Sequence, residues 1–141
     1  MYKRQDIFFI PTGWGNSNWI WENNEERRWL DDIVKKTAVH IENKHNFDLS
    51  LQVTIPNEWE NLAPINIGVT AGIETTKVAP IWLQKANEMD KIITISEHSK
   101  KGFTDTAVEL IDNATGKQFS YKYDKTPEAV SYTHLTLPTK A

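Results

Sequence analysis

Apolar positions along this chain follow two patterns, short nearly unbroken runs and a repeat every three to four residues. The runs are 6–10 (DIFFI), 47–55 (FDLSLQVTI), 65–70 (INIGVT) and 92–95 (IITI). Runs of this length bounded by turn residues predict strands. Pro56 stops the second run and Ala71-Gly72 the third. The longer period appears in Trp29, Leu30, Ile33, Val34, Ala38 and Ile41, which share one face of a helix ending near 43–46. Asn23 with Glu26 three residues on resembles the capping box that would open it. A second helix starts at Pro80, whose fixed φ suits a first turn. It sets Trp82, Leu83, Ala86 and Met89 at helical spacing until Asp90 and Lys91 break the pattern. Ser96 and Glu97 then supply the cap and first-turn acid of a third helix.

Two short apolar strands joined by a helix predict parallel strands buried on both faces, with a right-handed connection. Beyond residue 103 the pattern changes. Segments 106–111 and 117–123 flank Asp112-Asn113-Ala114-Thr115-Gly116, a composition that turns the chain and predicts a β-hairpin. Asn113-Ala114-Thr115 also fits the acceptor pattern for N-glycosylation, and it is read here as a turn. Residues 126–129 begin another strand. The expected fold is α/β: a Rossmann-like, open, mostly parallel and incomplete sheet flanked by helices, with a hairpin near 106–123.

At 141 residues the chain is one domain's worth. No apolar run approaches the ~18 residues of a membrane-spanning helix, and the start lacks the apolar core of a signal peptide. A cytoplasmic location is the simplest expectation. The absence of cysteine excludes disulfides and thiolate metal sites. Both ends carry a warning. VSYTHLTLPT (130–139) resembles a translated sequencing adapter, and MYKRQ (1–5) resembles the same adapter read in the opposite sense. Residues 6–129 are therefore taken as the native domain and an internal fragment of a longer gene. Trimming the ends removes Lys3, Arg4 and Lys140, leaving a domain more acidic than the −3 of the whole chain. That charge disfavours nucleic acid and anionic membranes as partners.

Open parallel sheets bind ligands beyond the carboxyl ends of their strands, which places loops 11–18, 56–60, 71–76 and 96–99 on the working edge. Gly13 and Gly15 have the first spacing of a dinucleotide fingerprint. The third glycine is absent and Trp14 stands between the two, so they are either turn residues or a backbone approach to phosphate. The 56–60 loop holds Glu58, Glu60 and Trp59. Trp59 either stacks on a sugar face or packs into the core. Ser96 is either a cap or a ligand contact. His98 reads as a packing or surface residue, and His40 and His45 suggest nothing catalytic. No metal-ligand spacing occurs. Six tryptophans, three of them at 14, 19 and 21, would suit carbohydrate, although Trp29 and Trp82 belong to helix faces that read as core.

One ordered string carries a resemblance. Glu74-Thr75-Thr76, Pro80-Ile81-Trp82, Asn87 with Asp90, the run 92–96, and Glu97-His98-Ser99-Lys100 resemble the N-terminal domain of retaining, group 1 glycosyltransferases of the GT-B type. The likeness covers about a third of the chain and extends more weakly to both sides. It implies a transferase moving a hexose-like sugar from a nucleotide-sugar donor to a carbohydrate or other hydroxyl acceptor, with no further cofactor and no metal. It also implies that this chain gives the acceptor side, inactive without the missing C-terminal domain that grips the donor. The residues implied near substrate or donor phosphate are Gly13, Gly15, Asn16, Glu58, Glu74, Thr75 and Ser96; no catalytic residue is assigned. A stand-alone carbohydrate- or nucleotide-binding module without catalysis is the contrasting reading, and a small nucleotide-binding enzyme built on the Gly13–Gly15 loop is a third. An open, incomplete sheet favours the first, a fully covered sheet the second, and a convergent pocket of titratable groups the third.

Overall fold

The computed structural model describes residues 5–12, 22–125 and 128–129, the last two by their backbone. The chain divides into two compact units, Met1–Asn46 and Phe47–Ala141.

The first unit is built on helix α1, Glu25–Glu42. Its cap is Asn24, one residue later than the Asn23 expected, and Asn24 Oδ1 accepts from Arg27 N at 2.9 Å. Residues 6–10 form no strand. They lie along α1 instead, because the helix offers them specific partners. Thr37, the buried residue of α1, accepts from Phe9 N through Oγ1 at 2.9 Å, and Asp6 pairs with Lys36 at 2.8 Å. Phe8 completes the set, with its ring 4.2 Å from that of His40 and under the Lys36 ammonium. The apolar stripe of α1 is only partly covered. Leu30, Ile33 and Val34 are half-buried, whereas Trp29, expected in the core, is 61% exposed.

The second unit holds the sheet. Strands β1 (Leu49–Val53), β2 (Ile65–Thr70) and β3 (Lys91–Thr94) pair in parallel in that order, with the two-residue β6 (Glu128–Ala129) added beside β3. Leu49 pairs Ile65, and Gly68 pairs Ile92. Between β2 and β3 runs α2, Pro80–Glu88, with proline in its first turn; α3, Glu97–Thr104, follows β3. The hairpin is β4 (Ala107–Ile111) against β5 (Gln118–Lys122), antiparallel. The architecture is thus mixed α/β, with a short parallel sheet flanked by helices and a small antiparallel pair.

Alternation along the strands sorts the faces. Asn66, Gly68, Thr70, Ile92 and Thr94 are buried, and the core beside them is Trp59, Leu83, Ala86, Met89 and Phe103. Full burial of a Leu, Ile, Met or Phe side chain contributes about 1.5–3 kcal/mol, so this cluster is the main stabilising body of the unit. Trp82 stacks near Phe103, at a centroid distance of 6.2 Å. The alternate positions Leu49, Leu51, Val53 and Ile65 are apolar and exposed.

Asn66 anchors the amino-terminal edge. Its Oδ1 accepts from Leu62 N, Ala63 N and Ser50 Oγ at 2.7–3.0 Å, and its backbone N–H and C=O pair with Asp90 Oδ2 and Asp90 N. Asn87 ties α2 to the hairpin. It donates to Tyr121 OH and Lys122 O and accepts from Asp124 N.

Candidate functional site

Because β1, β2 and β3 are parallel, the segments that leave their carboxyl ends lie on one edge. After β1 comes a 3₁₀ turn over Pro56–Glu58, which delivers Trp59 to the core with no exposed surface. Its indole fills the space above Gly68, where a Cβ would fall 2.6 Å from the ring. Trp59 is therefore a packing residue and cannot stack on a sugar. Glu58 and Glu60 remain at the surface, with Glu58 accepting from Thr54 Oγ1. Glu60 is held by Gln52, whose amide donates to Glu60 O and accepts from Glu60 N.

The segments after β2 and β3 are stitched together. Ser99, on the first turn of α3, donates from Oγ to Ala71 O at 2.9 Å, and His98 Nε2 lies 3.3 Å from Glu74 O. Gly72 makes the turn possible. Its φ of +76° suits glycine, and a Cβ there would fall 2.6 Å from Ser99 Oγ. Thr70 Oγ1 accepts from Gly72 N and Thr94 Oγ1 donates to Ser96 O, so hydroxyls occupy the strand ends where backbone pairing runs out.

Of the residues expected to meet substrate, Ser96 proves to be the helix cap: its Oγ accepts from Ser99 N at 3.1 Å and bonds Ser99 Oγ. Thr75 is exposed and closes its own turn, donating to Lys77 O at 2.7 Å. Glu74 is exposed, and its carbonyl meets His98. Glu58 stands on the neighbouring segment. Gly13, Gly15 and Asn16 lie outside the described residues. The fold thus brings Glu74 and Ser96 to one seam through His98 and Ser99. Ser99 and Ala71 are the links that sequence reasoning missed; the Ser96-x-x-Ser99 spacing, a cap with a second hydroxyl three residues on, was the available signal. Asn87 and Asp90, members of the resembling string, sit at the opposite ends of the strands and hold the fold.

The edge carries Glu58, Glu60, Glu74 and Glu97, with Lys77, His98 and Lys100 among them. Lys100 lies 3.9 Å from Glu97. Exposed carboxylates and hydroxyls of this kind can accept from and donate to hydroxyl groups of a polar ligand. Among the described residues no group of three or more His, Cys, Asp or Glu could hold a metal ion, and no helix is long and apolar enough to cross a membrane. Comparison of the chain with protein families, with curated proteins and with solved structures returned no match.

Proposed function

We propose that residues 6–129 form the acceptor-side lobe of a glycosyltransferase that moves a sugar from a nucleotide-sugar donor to an acceptor hydroxyl, the donor being gripped by a C-terminal lobe of the same protein. The observation that carries this reading is the seam between Ala71–Glu74 and His98–Ser99, at the carboxyl ends of adjacent parallel strands. It gathers two parts of the resembling string, Glu74-Thr75 and Ser96–Lys100, on the edge where open α/β sheets take their ligands. Transfer with such a lobe is a matter of positioning: Glu74 and Thr75 orient the acceptor hydroxyl, and the rigid seam sets the wall against which donor and acceptor meet.

Titration of the ¹⁵N-labelled chain with mono- and disaccharides, and separately with UDP-glucose and GDP-mannose, tests the assignment. Saccharides should shift amide resonances of 71–76 and 96–99, weakly and saturably, and Glu74→Ala should reduce the shifts. UDP-glucose and GDP-mannose should bind no better than the saccharides. Tight binding of a nucleotide sugar to this chain alone, or saccharide shifts confined to other loops, would overturn the reading.

A further inference from the structure

The β4–β5 hairpin forms a sheet of only two strands. Val108 and Tyr121 pack one of its faces on the core, while its outer rows of N–H and C=O groups are open to another strand. Asp112 N donates to Lys117 O at 2.9 Å, which sets the phase of the ladder. Pairs 110–119 and 108–121 are hydrogen-bonded, so residues 107, 109 and 111 of β4 and 118, 120 and 122 of β5 turn their backbone groups outward. Among the described residues these outer rows have a single partner, Asn87 Nδ2 on Lys122 O at 3.0 Å. That carbonyl keeps a second lone pair. Leu110, Ile111 and Phe119 are exposed on the same hairpin.

The charges distinguish the two edges. Glu109 stands at the middle of β4 and Ser120 at the middle of β5. Two copies of β4 joined antiparallel over their whole length would oppose Glu109 to itself, and like charges directly opposite resist pairing. Two copies of β5 joined about Ser120 oppose Gln118 to Lys122 and Phe119 to Tyr121. No like charges meet, and the aromatic pair falls at a position where cross-strand side chains approach closely. We propose that two copies of this chain pair through the outer edge of β5, giving a four-stranded antiparallel sheet with two-fold symmetry and β4 at its rims. Such a contact is closed, because the same patch serves both copies. It covers Phe119 at the hairpin's exposed end, and it does not depend on the glycosyl-transfer reading.

Sedimentation equilibrium of the full chain over a concentration series tests the pairing, with a monomer–dimer equilibrium as the expected result. Ser120→Pro deletes an outward N–H without touching the hairpin's own ladder. Two symmetry-related hydrogen bonds are lost, so the dimer Kd should rise roughly tenfold to a hundredfold. Ser120→Lys sets two lysines opposite each other and should also weaken the dimer; it decides the matter if the proline variant loses its far-UV circular dichroism. Glu109→Lys, on the other edge, should leave Kd unchanged. A chain that stays monomeric at every concentration, a dimer indifferent to both Ser120 variants, or one weakened as much by Glu109→Lys would overturn the proposal.

Discussion

The indole of Trp59 stands where a side chain on Gly68 would be: a Cβ at Gly68 would lie 2.6 to 2.8 Å from three of its ring carbons. The two residues form one packing unit at the centre of β2. Gly68→Ala should therefore destabilise the domain by about 1–3 kcal/mol through overpacking, measured by urea unfolding. Trp59→Leu leaves a smaller side chain above the same spot. The double variant should lose less than the sum of the two single losses, whereas additive losses would show that the contact carries no coupling.

Asn66 is buried and satisfies two backbone N–H groups of the turn before β2, Leu62 and Ala63, as well as Ser50 Oγ. Asn66→Ala strands these donors at once. Leaving these partly buried donors unpaired should cost roughly 1–3 kcal/mol, read as a lower urea midpoint. Asn66→Asp keeps the acceptor oxygens but brings a second carboxylate near Asp90, and should recover only part of the loss.

The seam at the candidate site makes a sharper prediction. Gly72→Ala forces a left-handed backbone on alanine, at about 1–2 kcal/mol, and also drives a methyl group into Ser99. Amide resonances of 96–99 should move together with those of 71–74 in this variant. Shifts confined to 71–74 would mean the two segments are not mechanically joined.

Tyr123 is buried beside Phe103, and among the described residues its hydroxyl has no hydrogen-bond partner. Burial, aided by the nearby Asp124 charge, pushes its pKa from 10.0 up to about 12. The folded state thus holds a proton that the unfolded chain releases, and stability is complete below pH 10 and falls as pH rises toward 12. The loss across that window is on the order of 2–3 kcal/mol. Tyr123→Phe removes the orphaned hydroxyl, so it should be neutral or stabilising at pH 7. It should also flatten the alkaline slope in pH-dependent urea unfolding; an unchanged slope would place the titration elsewhere.

The run from β2 to α3 was legible in the sequence because its signals are local. An apolar hexapeptide, a proline in a first turn and a serine followed by a first-turn acid each set backbone geometry within a few residues. The hairpin was legible for the same reason: Asp112 accepts from Thr115 Oγ1 and from Ala114 N, and these bonds, the first above all, hold its carboxyl below the usual range.

Other outcomes needed three dimensions. DIFFI has the composition of a strand, yet pairing requires a neighbour in register, and Thr37 and Lys36 of α1 supply hydrogen bonds to it instead. Trp59 could have faced a ligand; the absence of a Cβ at Gly68, nine residues on in β2, decided that it packs. Ser96 could have touched substrate, but α3 begins there and its free N–H groups claim the hydroxyl. From residue 24 onward the sequence by itself determined which segments are helix, strand and turn, since those choices depend on near neighbours. Only the tertiary structure decided which side chains are spent on packing and capping and which, like Glu74, stay exposed at the strand ends, because that depends on what the rest of the chain places beside each one.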